Sequence, residues 1–233
     1  MAFTLASIHI YPLKSCAPLA RTLARIGVRG LDHDRRWMVV DEFQKFLTAR
    51  TVPQLTMIRA VPDGDAVVLS APGRPPLRLD PPPAHGERLS TQVWDDPVEP
   101  LVADAAAHAW VSAFLGFPCK VVYMDDDCVR AVDPNYAAPG DRVGFADAFP
   151  ALLISQAALD HLNTRLAAPV PMLRFRPNLV VAGTAPHAED VWKRVRIGEV
   201  EFDVVKPCTR CVFTTVDFER GERDPSGEPL RTL

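Results

Sequence analysis

The chain has 233 residues, 26 basic against 29 acidic side chains, and a net charge of −3. Hydrophobic residues make up 48% and charged residues 24%, which excludes a disordered or collagen-like chain. The near-neutral balance gives no electrostatic case for nucleic acid or an anionic membrane as the main partner.

The 23 prolines are about twice the usual share of ~5% and favour short elements joined by fixed turns. The opening segment, MAFTLASIHIYPLKSC, reads as a strand over Phe3–Ile10 rather than an export signal. Further strands are expected over Leu23–Val28, Arg36–Val40, Phe46–Thr48, Leu55–Ala60, Ala66–Leu69 and Leu77–Leu79. Turn formers fill residues 62–65 and 72–76, and Pro81-Pro82-Pro83 marks a stiff surface stretch. Two helices are predicted. One covers Asp104 to Leu115; the other runs from Ser155, as N-cap, to Leu166. Strands follow over Asn178–Ala182, Val195–Ile197, Glu199–Val205 and Val212–Val216, the middle two joined by a tight turn at Gly198. The class is therefore mainly β with a few helices (α+β). A composition shift near 100–120 divides the chain into residues 1–118, a β-barrel-like unit, and residues 119–233. No stretch approaches the ~20 apolar residues of a membrane span. Five cysteines, an odd number, point to reduced thiols in a cytosolic setting.

Three local patterns carry possible chemistry. Cys208-Thr209-Arg210-Cys211 is a C-x-x-C. It admits a redox pair, half of a zinc site, plain buried thiols, or a thiolate beside Arg210 suited to a soft metal. The predicted strand after it disfavours the first, and the absence of a second pair disfavours zinc. Tyr11-Pro12-Leu13-Lys14-Ser15-Cys16 is a turn after a strand, able to present an ammonium, a hydroxyl and backbone N–H groups to a phosphate, or to be an ordinary surface loop. Arg174-Phe175-Arg176-Pro177-Asn178 enters a strand, so period-2 alternation puts both guanidiniums on one face, for an anion or for surface ion pairs. Arg35, Arg36 and Arg50 are further anion contacts. Asp125-Asp126-Asp127 reads as a solvated loop. No nucleophile elbow, dinucleotide fingerprint or phosphate-loop motif occurs.

These segments, with Asp34-Arg35-Arg36-Trp37, Leu47-Thr48-Ala49-Arg50, Phe145-Ala146-Asp147, Glu189-Asp190 with Trp192, and Val212 to Asp217 after the cysteine pair, form an ordered set. Together they resemble a MOSC protein: an N-terminal MOSC β-barrel domain followed by a MOSC β-barrel domain, similar to bacterial relatives of the mitochondrial amidoxime-reducing component. The resemblance implies a molybdenum–molybdopterin cofactor with Cys211 as the protein thiolate on the metal. It implies Lys14, Ser15 and Arg35 at the pterin or its phosphate, and Arg176 and Asn178 on the pterin from the other domain. Asp147 and Ser155 would stand nearby, and Thr209 and Arg210 around the metal ligand. The implied activity is reductive removal of oxygen from small N-hydroxylated or N-oxide compounds, with electrons from a separate donor protein. A sulfur-transfer protein and a non-catalytic cofactor carrier are the alternatives, and pyridoxal phosphate binding enters only as a family label. Members continue past Leu233 with strands that close the C-terminal barrel, so the resemblance also implies a shortened or differently completed barrel.

Overall fold

A computed structural model describes residues 3–233; Met1 and Ala2, the start of the segment read as strand rather than signal, lie outside it. Strands predominate, with two α-helices: α1 (Ala105–Leu115) and α2 (Gln156–Asn163). Among the described residues no helix is long and apolar enough to cross a membrane.

The first strand, Thr4–Ile10, is central to the topology. It pairs antiparallel with Leu19–Arg21 on one side and with Leu179–Ala182 on the other, and Leu153–Ser155 extends this sheet in parallel. The N-terminal strand thus sits among C-terminal elements, which brings residues 11–16 beside residues 175–178. A second sheet aligns Trp37–Asp41 with Cys119–Tyr123, and Leu101–Val102 joins its edge. A meander of Arg59–Asp63, Ala66–Ala71 and Arg74–Leu79 completes the N-terminal half. Its apolar faces close on α1 around Tyr11, Leu13, Trp37, Leu69, Trp110 and Val121, all buried. A separate cluster of Ile154, Leu159, Leu162, Val170 and Phe175 lies under α2.

Helix ends follow local chemistry. The Asp104 carboxylate caps α1 by accepting from the Ala107 N–H at 2.8 Å, and Gly116 ends it with φ 86°. Ser155 caps α2 through the Ala158 N–H at 3.1 Å, the simpler of the roles open to it. That helix ends at Asn163 rather than Leu166, because the Arg165 and Leu166 N–H groups bond the Leu162 and Asn163 carbonyls three residues back instead of four.

Several expectations fail. Phe46–Thr48 is no strand, only an isolated bridge from Phe46 to Val40. Of the strand foreseen over Leu23–Val28 only Ile26–Gly27 forms, and an unforeseen strand, Leu19–Arg21, precedes it. Leu55–Ala60 begins as a 3-10 turn over Pro53–Met57, with proline in its first turn, and pairing starts only at Arg59. Val212–Val216 is a 3-10 turn over Val212–Thr215 followed by a two-residue strand. There the Thr214 and Thr215 hydroxyls donate to the Cys211 and Val212 carbonyls at 2.9 and 2.7 Å, and these local bonds outcompete a β ladder. Finally, Arg174 and Arg176 do not share a face. Arg174 belongs to a 3-10 turn and donates to the Thr215 carbonyl, whereas Arg176 is left-handed at φ 56° and turns toward Tyr11.

Candidate functional site

The turn after the first strand places Lys14 in the interior. Leu13 bridges to Trp37, and Ser15 takes φ 69°. The Lys14 ammonium donates to the Phe145 carbonyl at 2.6 Å and to Asp147 Oδ1 at 2.8 Å. Burial pushes its pKa down to about 8, although the Asp147 carboxylate opposes the fall. The Ser15 hydroxyl accepts from the Ala49 N–H at 3.1 Å, which fixes the next turn and the base of Arg50.

Arg50 links the cluster together. Its Nη2 donates to Asp147 Oδ2 at 2.6 Å and its Nε to the Cys211 sulfur at 3.2 Å. Its guanidinium lies 4.5 Å from the ring centre of Trp94, whose indole N–H donates to Asp147 Oδ1 at 3.3 Å. Burial would raise the pKa of Asp147, but the Lys14 and Arg50 charges outweigh it and hold the carboxyl well below the usual carboxylate range. Buried Arg130 organises the segment that carries Asp147, donating to the Gly144, Ala146 and Asp147 carbonyls and pairing with Asp96.

Cys211 is half-buried and precedes the 3-10 turn; its carbonyl accepts from both the Thr214 N–H and hydroxyl. Its sulfur is therefore set by a fixed backbone and has a guanidinium beside it. Cys208 is exposed, and Thr209 is exposed beside it. Arg210 packs over Phe175, at 5.3 Å.

Arg176 forms a second cationic point. Nη1 donates to the Cys16 carbonyl at 2.7 Å, and the guanidinium lies over Tyr11 and Phe213 at 4.0 and 4.9 Å. Its Nη2 is buried and unpartnered, and burial lowers its pKa. A buried guanidinium donor without an acceptor is uncommon enough to require a reason. Arg35 and Asn178 sit nearby but are engaged internally. Arg35 pairs with buried Asp34 and donates to Asn178 Oδ1 at 2.9 Å, while Asn178 donates to the His9 carbonyl and also accepts from the Leu152 N–H. Both brace the junction between the two halves of the chain.

Of the residues expected at a site, the structure thus joins Lys14, Asp147 and Cys211 through Arg50. It sets Ser15 beneath Arg50 and Arg176 one residue's reach from Cys16. Thr209 makes no side-chain hydrogen bond, and Arg210 faces Phe175. Trp94 and Arg130 were not foreseen, and Arg50 was foreseen only as one anion contact among several. Trp94 had a faint signal: a bulky residue before Asp95-Asp96-Pro97, where a turn is expected. Asp125 and Asp126, in the run read as a solvated loop, form ion pairs with Arg88 and Arg29. Among the described residues no three His, Cys, Asp or Glu side chains converge on a metal position.

An anionic group needs a cationic donor free to meet it, and the orphan Arg176 Nη2 supplies one, while Lys14 and Arg50 share the single carboxylate of Asp147 and so leave positive charge beside it. A metal already carried by its own organic ligand needs only one soft protein atom, which Cys211 offers. The residues present fit.

Comparison with known proteins gives two family matches: the MOSC N-terminal beta barrel domain over residues 2–118, and the MOSC domain over residues 140–233. Mitochondrial amidoxime-reducing component 1 of Mus musculus is 37% identical over 239 residues, covering 99% of this chain and 70% of that protein. The Homo sapiens protein of the same name is 34% identical, covering 99% and 71%. Molybdenum cofactor sulfurase of Oryza sativa subsp. japonica is 32% identical over 98% of this chain but only 30% of its own length.

Proposed function

The chain belongs to the MOSC family, and from that premise we propose that it is a molybdenum-cofactor-dependent oxidoreductase that removes oxygen from small N-hydroxylated or N-oxide compounds, with electrons from a separate donor. The observation that carries this reading is the contact of Arg50 with both the Cys211 sulfur and the Asp147–Lys14 pair. It sets a single soft ligand beside an anion-binding cluster.

The bound cofactor would supply the two-electron redox chemistry. Cys211 would hold the metal, and Arg50 would orient its sulfur through the 3.2 Å contact. Lys14 and Arg176 would receive anionic groups of the cofactor, the latter satisfying the unpartnered Nη2. Asp147 would hold Lys14 and Arg50 in place through bonds of 2.8 and 2.6 Å. Arg35 and Asn178 would support the pocket from behind rather than touch the cofactor, and Ser15 would fix the Lys14 turn through Ala49.

A sulfur-transfer role is the second reading, favoured by the exposed thiol of Cys208 three residues from Cys211 and by the sulfurase among the relatives. Purified protein from a cofactor-producing host is analysed for molybdenum and pterin, then offered benzamidoxime with a reduced viologen as electron source. About one molybdenum per chain with amidine formation supports the reductase. Metal without turnover leaves a carrier, and a persulfide on Cys208 or Cys211 without molybdenum selects sulfur transfer.

A further inference from the structure

Trp94 occupies the tip of the hairpin made by Thr91–Val93 and Asp96–Val98. Its φ is 57°, in the left-handed region that such two-residue turns reserve for glycine, asparagine or aspartate. A large side chain in that conformation is strained, and strain of this kind concentrates where function holds it. Nor does core packing require the residue, since Trp94 is 40% exposed.

The indole nevertheless has fixed partners. Arg50 stacks at 4.5 Å, Phe46 meets it edge-on at 5.2 Å, and its N–H reaches Asp147. The same Arg50 donates to the Cys211 sulfur at 3.2 Å. An accessible aromatic surface therefore stands one guanidinium away from the thiol. The charges nearest the indole balance, Lys14 and Arg50 against Asp147 and the adjacent Asp95, so nothing there selects a charged group, whereas a flat neutral group would meet the indole.

Resting on the reductase reading above, we propose that Trp94 is a specificity-determining residue. Its exposed indole receives the flat, uncharged part of an N-hydroxylated substrate, and so favours aryl compounds over small ones at Cys211.

The test uses the ¹⁵N-labelled, molybdenum-loaded protein, whose four tryptophans each give an indole N–H signal. Trp94→Gly removes and so assigns one of them, and glycine adopts the positive φ readily, which preserves the hairpin. Titration with benzamidoxime shifts the Trp94 signal saturably, and hydroxylamine shifts it far less. In turnover, Trp94→Gly loses about two- to tenfold more kcat/KM on benzamidoxime than on hydroxylamine, the range expected for one aromatic contact. Trp94→Phe keeps the ratio within about twofold. An unmoved Trp94 signal, or an unmoved ratio with molybdenum retained, overturns the proposal. So does an equal loss on both substrates that tracks lost molybdenum, which would make Trp94 a cofactor-retaining residue. A saturable shift with no reduction of either compound refutes the reductase reading instead and leaves the aryl-binding role standing.

Discussion

Replacing Lys14 by methionine should stabilise the cofactor-free protein. The ammonium is buried, and burial outweighs its bonds to Phe145 and Asp147, bringing the pKa from 10.5 down to about 8. At 1.36 kcal/mol per pH unit this is about 3 kcal/mol against the charged form in the fold. Methionine removes that cost and fills similar volume, but leaves the Phe145 carbonyl without its partner, at about 1–2 kcal/mol. Asp147 keeps Arg50 and Trp94. The net gain is about 1–2 kcal/mol, or a rise in Tm of about 2–8 °C for a chain of this size. The pH dependence supplies an internal check. Between pH 8 and 10.5 the folded lysine has lost its proton and the unfolded one has not, so the unfolded state binds more protons and wild-type stability rises with pH. Lys14→Met lacks that rise, and its advantage should shrink from pH 7 to pH 10. Calorimetry of both proteins in phosphate-free buffer at the two pH values measures this. A variant that melts below wild type at pH 7, or a difference that does not change with pH, refutes the reasoning.

Cys211→Ser should cut bound molybdenum at least about tenfold, because a hydroxyl is a poor replacement for a soft thiolate, while Cys208→Ser retains it; elemental analysis of the two purified variants decides. Inorganic phosphate at about ten times its Kd should add about 1.4 kcal/mol to wild type, or about 3–6 °C in Tm. Arg176→Gln should lose most of that increment if the orphan Nη2 is an anion donor. Asp34→Asn should cost about 3 kcal/mol and lower Tm by about 6–12 °C, since it strips buried Arg35 of its counter-charge. An unchanged melting curve would remove Asp34 from the framework of the junction.

The parts legible in the sequence were those that a short window encodes. Apolar alternation marked Thr4–Ile10 and the Ala66–Ala71 meander, and Asp104 and Ser155 announced both helices. The Lys14 turn and the Cys208–Cys211 pair stood out as compact patterns of reactive residue types, and only the resemblance singled out Cys211. What escaped was either a backbone that departs from periodicity or a contact between distant segments. The Arg174–Arg176 alternation assumed a strand, and a single left-handed residue at Arg176 broke it. The threonines after Cys211 have high strand propensity, yet their hydroxyls found nearer partners in the carbonyls three residues back. Arg50 and Cys211 are 161 residues apart, and no local rule relates them. Arg35 looked like a free anion receptor because its partner Asn178, 143 residues away, was out of view.

Backbone strain is shared by Arg35 and Arg176. Among the described residues seven that are not glycine have positive φ, and four of them border the site: Ser15, Arg35, Trp94 and Arg176. Each conformation costs on the order of 1 kcal/mol and persists only when the surroundings impose it. Those surroundings are visible: the Arg35 N–H is held by the Tyr11 carbonyl at 2.9 Å, the Arg176 N–H by Leu173 at 3.1 Å, and the Ser15 hydroxyl by Ala49. A left-handed residue turns its side chain out of the alternation of its neighbours, which is how Arg176 leaves the path of Arg174 and reaches Tyr11. Burial disfavours the charged forms of Lys14 and Arg176, whereas Asp34 and Asp147 compensate Arg35 and Arg50. An anionic ligand received by Lys14 and Arg176 would recover part of that electrostatic cost.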